Sequence, residues 1–165
     1  MELRLAKIAM SGSLALFAFL VAFGNLTDYG SNFAFVRHVL SMDTTFPDNA
    51  LRWRAITSPT LWQVAYWLII LGEALTCAAY TIGTVALTRN LRASGAAFNR
   101  SKRMIYVATA LGFLVWFLGF MVIGGEWFAM WQSKTWNGQE AAFRFYAAVL
   151  GTGIFIALDD RDLAG

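Results

Sequence analysis

The sequence predicts an all-α protein, a bundle of four transmembrane helices, and three observations support this prediction. Of the 165 residues, 58% are hydrophobic and only 14% are charged, whereas a soluble domain carries about 25% charged residues. The apolar residues are concentrated in four blocks, and a bilayer-spanning helix needs about 20 such residues. Within each block the apolar run does not alternate with polar residues, which favours helices over barrel strands.

The four predicted spans are residues 8–26, 62–87, 104–123 and 141–158 of a single domain that covers residues 1–165. The first block follows Arg4 and Lys7 and resembles a secretory signal, but its apolar run is longer than a usual signal core. We therefore interpret it as an uncleaved first span.

The distribution of charge predicts the orientation of the spans. The connector 88–103 contains five basic residues and no acidic residue, whereas the two other connectors mix both signs. By the positive-inside rule, the N-terminus, this connector and the C-terminus are expected in the cytoplasm. The two other connectors would then lie outside, in the periplasm of a Gram-negative host. Tryptophans at the predicted outer ends of the spans agree with this orientation: Trp62, Trp127, Trp131 and Trp136.

The first outer connector is too long to be without structure of its own. Apolar residues at helical spacing over 31–42 predict a short helix that lies on the membrane surface. Asp48 is expected to cap a second short helix that ends before Pro59. After the third span, Gly124 and Gly125 predict a sharp turn.

Small residues recur at intervals that let helices approach closely in lipid. We interpret these pairs as bundle packing: Ser11 with Ala15, Ala108 with Gly112, and Ala147 with Gly151.

The outer segments resemble an uncharacterised family of proteobacterial proteins described only as predicted small integral membrane proteins. The resemblance covers most of the chain and is carried by the sequences NLTDYGSNFAFV from residue 25, VLSMDTTFP from residue 39 and GGEWFAMWQSKTWNGQE from residue 124. It implies a bacterial inner-membrane protein with four spans. It implies no reaction and no catalytic residue.

Glu73 is the candidate for function within the membrane. It follows Trp62 by about 16 Å of helix, which places it near mid-membrane. An ionised carboxylate there is costly, so we expect Glu73 to be neutral and hydrogen-bonded within the bundle or to a partner subunit. Polar residues on the same side of the helix form a stripe predicted to face protein: Gln63, Tyr66, Thr76, Tyr80 and Thr84. A functional role and a purely structural role both remain open for this group.

His38 is the only histidine, which excludes haem held by two histidines of this chain. With Asp43 and Glu126, or with Asp28 and Asp48, it could form an outer metal site. The spacing matches no ligand motif, so a solvated loop histidine is favoured, and no metal or other cofactor is predicted.

Aromatic residues of the outer connectors are candidates for docking another protein, since tryptophan and arginine dominate interface anchors. The candidates are Trp53, Trp127, Trp131 and Trp136, with an ordinary aromatic belt as the alternative. Arg144 could pair with Glu126 or Glu140, or reach the lipid headgroups.

The sequence contains no nucleophile–base pair, phosphate-binding glycine loop or thiol metal motif, so we predict that the protein is not an enzyme. The clustered basic residues are explained by topology, so no nucleic-acid partner is expected. The favoured function is a non-catalytic subunit or accessory factor of a larger membrane complex, which docks through its outer aromatic loops and its helix faces. The alternative is a small transporter or channel that uses Glu73 and requires a homo-oligomer.

Overall fold

A computed structural model describes residues 1–162 and confirms the all-α class, with no strand among those residues. Four helical stretches are long and apolar enough to cross a membrane. The elements in chain order are α1 (Glu2–Thr27), α2 (Tyr29–Ser41), α3 (Pro59–Arg89), α4 (Gly95–Ser101), α5 (Arg103–Phe113), a π-helix (Leu114–Trp127) and α6 (Gln139–Ala157), with short 3₁₀ turns at Arg52–Arg54 and Met130–Gln132.

The first three spans extend beyond their apolar blocks at both ends, while the fourth helix runs Gln139–Ala157 in place of the predicted 141–158. The first helix starts at Glu2 rather than at residue 8, because the basic side chains of its first two turns find acceptors elsewhere in the fold. The second starts at Pro59, which suits the first turn of a helix because the amide hydrogen that proline lacks would have no partner there.

The third span is one continuous helical stretch that changes from α to π hydrogen bonding at Leu114. In a π-helix each amide bonds the carbonyl five residues earlier, and Phe128 continues this pattern by donating to the Ile123 carbonyl at 3.0 Å. The sharp turn predicted at Gly124 and Gly125 is wrong, since both lie inside the π-helix. The chain instead leaves the helix near Ala129, whose φ is 51°.

Helix α3 lies between α1 and α5, and α6 packs against α5 and the π-helix. The main core is formed by side chains of these helices together with Phe98 of α4. Trp116 and Tyr80 are its largest buried members from the spans. A second cluster seats α2 and the segment 128–130 against the start of α3. The second cluster therefore positions the long connectors over one end of the bundle.

The sequence predicts two short helices in the first connector. A helix does form close to residues 31–42, as α2 (Tyr29–Ser41), while its position on the membrane surface stays a prediction. The second prediction is wrong, because only the turn Arg52–Arg54 is helical and no side chain caps it. Asn49, rather than Asp48, accepts a hydrogen bond from the backbone, from the Leu51 amide at 2.9 Å, and this local bond is typical of a turn.

Small residues pack the helices at two of the three predicted pairs. Ser11, Ala108 and Gly112 are buried, and Ala15 packs against the core. The third pair is wrong, because Ala147 and Gly151 are exposed. A Cβ on Gly151 would meet nothing within 4 Å, whereas a Cβ on Gly153 would lie 2.7 Å from Thr109. The face of α6 that packs is thus two residues away from the predicted one.

Buried charges hold the C-terminal segment at the end of the bundle that carries the N-terminus and the 90–102 connector, which we call the basic end. The Asp160 carboxylate lies 2.6 Å from the ammonium groups of both Lys7 and Lys102, and all three residues are buried. Asn99 exchanges two hydrogen bonds of 3.1 Å with the Asp160 backbone. These contacts join both ends of the chain to α4.

Arg4 completes this arrangement. Its guanidinium donates to the carbonyls of Leu91, Ala93 and Arg161 at 2.7–2.9 Å and lies 4.6 Å from the Phe98 ring centre. Arg4 and Lys7, which the sequence offered only as topology signals, are therefore also structural residues.

Candidate functional site

The polar stripe on α3 faces protein, as predicted. Glu73 is only 1% exposed, and Tyr66, Thr76 and Tyr80 are equally buried. Thr76 bonds only its own helix, through the Gly72 carbonyl. Tyr80 shares a hydrogen bond of 3.2 Å with the Thr109 hydroxyl of α5. The stripe therefore has two parts. Thr76 and Tyr80 form hydrogen bonds that support the helices, and the other part is the group around Glu73.

Asn25, from the last turn of α1, is the direct partner of Glu73. Its side-chain amide donates to Glu73 Oε2 at 2.7 Å, and the Tyr66 hydroxyl donates to the Asn25 backbone carbonyl at 2.7 Å. That carbonyl lies in the last turn of a helix, where carbonyls have no intrahelical partner. Tyr66 thus orients Asn25, and Asn25 orients Glu73. The hydrogen bond within the bundle expected for Glu73 is confirmed.

Asn25 is a site residue that the sequence does not predict. A polar amide at the end of an apolar block was the available signal, but nothing in the sequence indicated which α3 residue it would meet.

A cavity of about 240 Å³ lies beside Glu73. Asn25, Asn32 and Glu73 supply its polar groups. The rest of the wall is mostly aromatic and apolar: Val21, Phe35, Val36, Tyr66, Ile69, Trp116, Phe120, Gly138, Ala141, Ala142 and Phe145. One carboxylate and two amides inside an aromatic wall can hold a hydrogen-bond donor or a cation.

A larger, almost wholly apolar groove of about 370 Å³ adjoins this cavity. It lies between α3 and the π-helix under α2, and it shares Phe35, Val36, Ile69 and Phe120 with the polar cavity. Leu68, Leu114 and Leu118 are among its remaining wall residues. An apolar chain fits this groove chemically, because almost nothing in it can form a hydrogen bond.

We call the end of the bundle opposite the basic end the aromatic end (residues 28–58 and 127–138). It carries a cluster formed by the exposed Trp53, the half-buried Arg54 and the exposed Trp127, which is the last residue of the π-helix. The two tryptophan rings lie edge to face with centres 6.1 Å apart. The Arg54 guanidinium lies 4.5 Å from the Trp127 ring centre and donates to the Trp127 carbonyl at 3.2 Å. Trp53 remains 72% exposed and Trp127 47% exposed.

The other two candidate docking tryptophans lie elsewhere. Trp131 is exposed and packs edge to face with Phe46. Trp136 stacks on the His38 ring at 4.7 Å. Among the four predicted docking tryptophans, the ring contacts of the described residues join Trp53 to Trp127, while Trp131 and Trp136 contact other rings.

Of the three residues proposed as weak metal ligands, His38 and Asp43 are in contact and Glu126 does not join them. His38 Nδ1 lies 2.8 Å from an Asp43 carboxylate oxygen, while Glu126 contacts Arg54 only through its backbone carbonyl. Within residues 1–162, no three His, Cys, Asp or Glu side chains are placed to hold a metal. Arg144 pairs with Glu140, one helical turn away, and both side chains are exposed.

Four apolar helical stretches with a carboxylate buried among them define a small, helical integral membrane protein. Residues 3–159 match the model of a protein family described as predicted small integral membrane protein (DUF2165), and the chain belongs to this family. No curated protein matches the chain, and no solved structure does.

Proposed function

We propose that this protein is a non-catalytic subunit or accessory factor of a larger protein complex in a bacterial inner membrane. Its two termini and the 90–102 connector face the cytoplasm in this proposal, and the aromatic end faces the periplasm. The orientation is supported by the five basic residues of the connector 88–103, since basic residues flanking a span favour the cytoplasmic side.

The observation that carries the proposal is the cluster of Trp53, Arg54 and Trp127. Interface anchors are enriched in tryptophan and arginine, and binding is favoured when such side chains are already ordered. Here the Arg54 guanidinium contacts the rings of Trp53 and Trp127 and donates to the Trp127 backbone carbonyl. The cluster therefore links the first connector to the end of the π-helix. A partner that covers it would bury two large aromatic rings without first having to order them.

The test is purification from the native membrane in mild detergent, without crosslinking. We expect the wild-type protein to be recovered with other chains in a fixed ratio. The double variant Trp53→Ala/Trp127→Ala should reduce that recovery at least tenfold, since one hot-spot residue alone contributes about 2 kcal/mol or more. Trp67→Ala is the matched control, because Trp67 is comparably exposed but lies on α3.

Two results would contradict this proposal. One is recovery of the wild-type protein without any other chain. The other is recovery of the same partners, in the same ratio, by the double variant.

A second candidate function is a small homo-oligomeric transporter or channel, and the cavity beside Glu73 favours it. Carboxylates within spans commonly mark ion or substrate pathways. Four spans are few for a monomeric transporter, so this function needs several copies. A monomer in native mass spectrometry, released from lipid nanodiscs, would argue against it, and a stable homo-oligomer whose solute uptake is lost in Glu73→Gln would support it.

A further inference from the structure

We propose that the cavity beside Glu73 binds the cationic head of a lipid-soluble amine or quaternary ammonium compound, with the hydrocarbon part of that compound in the adjoining apolar groove. This inference rests on the same cavity as the second candidate function and names the class of ligand for it. It does not depend on the proposed docking at the aromatic end.

The first argument concerns charge. Glu73 is buried and receives one hydrogen bond, from the neutral Asn25 amide, and it forms no ion pair within residues 1–162. A buried carboxylate is either neutral, as expected for Glu73 without a ligand, or ionised and paired with a cation. A bound cation would therefore favour the ionised form of Glu73. The buried ammonium groups of Lys7 and Lys102 cannot pair with Glu73, because they bind Asp160 at the basic end. Lys7 lies about 27 Å along α1 from Asn25.

The second argument concerns the wall of the cavity. Tyr66, Trp116, Phe120 and Phe145 line it together with the carboxylate. Aromatic faces attract cations, and aromatic cages are a recurring way to recognise quaternary ammonium groups. An aromatic wall around one carboxylate thus favours an organic cation over a small, strongly hydrated metal ion, which would need several oxygen ligands.

The third argument concerns size and access. At about 240 Å³, the cavity is smaller than the roughly 300–1,000 Å³ pockets that hold whole drug-sized ligands, so it accommodates a head group alone. The neighbouring groove of about 370 Å³ shares four wall residues with it and is almost entirely apolar. Both are lined largely by helices that are long and apolar enough to cross a membrane, together with α2. A ligand with a hydrocarbon part that is soluble in lipid suits this position.

The probe for the test is benzyltrimethylammonium, and its neutral counterpart of the same shape is neopentylbenzene. Binding is measured by isothermal titration calorimetry on the purified full chain in nanodiscs of zwitterionic phosphatidylcholine, whose lipids carry no net charge to attract the cation. We expect saturable binding of the cation, at least tenfold tighter than that of the neutral compound.

Glu73→Gln should weaken cation binding at least tenfold and leave binding of neopentylbenzene unchanged. Glu140→Gln is the matched control, because Glu140 is exposed and pairs with Arg144 outside the cavity. Ala141→Phe provides a second test if the Glu73 variant does not fold. Ala141 lines the cavity and is exposed on its other side, so a larger side chain there should obstruct binding of both compounds.

The inference is overturned if the cation binds no tighter than the neutral compound, or if it binds equally well to folded Glu73→Gln or Ala141→Phe protein. These results are independent of partner recovery by the Trp53/Trp127 variant, because the assay contains no other chain. They are also independent of transport, since binding without uptake would remove only the second candidate function.

Discussion

Asp160 illustrates how much a single side chain can contribute outside the spans. Its carboxylate is buried between two lysine ammonium groups that no other carboxylate within residues 1–162 contacts. Removing one partner from a buried ion pair leaves the other charge without compensation, which commonly costs about 3–5 kcal/mol.

We therefore expect Asp160→Asn to destabilise the protein by about 3 kcal/mol, seen as a lower midpoint of thermal unfolding in detergent. Asp159→Asn is the matched control, since Asp159 is the preceding residue and is exposed. Equal midpoints for the two variants would show that the buried cluster contributes little.

The same carboxylate predicts a dependence of stability on pH. Burial alone would raise the pKa of Asp160, but hydrogen bonds from Lys102 and Lys7 outweigh burial and hold this pKa below its usual value of 3.8. A group whose pKa is lowered by folding stabilises the protein above its unfolded-state pKa and loses that contribution as the pH falls through the folded-state pKa.

The unfolding midpoint of the wild-type protein should therefore fall more steeply below about pH 4 than that of Asp160→Asn. The measurement is thermal unfolding of both proteins in the same detergent across pH 3–7. Parallel curves would contradict the prediction, because they would mean that the Asp160 proton does not affect folding.

At the scale of an element, helix α6 contains one glycine that packs against α5, Gly153, and one that does not, Gly151. A Cβ on Gly153 would lie 2.7 Å from the Thr109 side chain of α5, whereas one on Gly151 would meet nothing within 4 Å. Real Cβ atoms do not approach other atoms as closely as 2.7 Å, so either the Thr109 side chain or the spacing between α5 and α6 would have to change.

Gly153→Ala should thus destabilise the bundle by about 1–3 kcal/mol through overpacking. Gly151→Ala, on the same helix, should be neutral or slightly stabilising, because alanine favours helix over glycine by up to about 1 kcal/mol. Thermal unfolding in one detergent measures both. Destabilisation by Gly151→Ala alone would mean that the packed face of α6 is wrongly placed.

The third span shows how an element can differ from its sequence pattern. A pair of glycines predicts a turn, yet Gly124 and Gly125 remain helical. A Cβ on Gly125 would lie 2.5 Å from the Gln139 side chain at the start of α6. The Gln139 side chain would thus have to move if Gly125 carried a side chain, whereas a Cβ on Gly124 would lie no closer than 3.4 Å to a neighbouring atom. The left-handed backbone that ends this segment occurs at Ala129.

At the scale of the whole molecule, the proposed orientation makes a prediction that is independent of function. Cys77 is the only cysteine. In a Cys77→Ser variant, a single new cysteine can therefore be introduced at either end of the bundle. Asp48 at the aromatic end and Arg92 at the basic end are both exposed.

In intact cells with a permeabilised outer membrane, a membrane-impermeant maleimide should label Asp48→Cys. It should label Arg92→Cys only after the inner membrane is opened, because the positive-inside rule places this connector in the cytoplasm. Labelling of Arg92→Cys from outside would reverse the proposed topology.

The sequence by itself determined the four spans, because the preference of a block for lipid is a sum over its own residues and needs no partner. It also identified the protein-facing side of α3, since Tyr66, Glu73, Thr76 and Tyr80 recur at helical spacing. The short helix α2 followed from the same kind of local periodicity.

Only the tertiary structure decided which groups meet. Lys7 and Asp160 are separated by 153 positions, and Asn25 and Glu73 by 48. The choice between Gly151 and Gly153 depends on how α6 is rotated against α5. Such contacts are set by the relative rotation and depth of whole helices, which no single segment of the sequence records, and the cavity beside Glu73 exists only once those helices are packed.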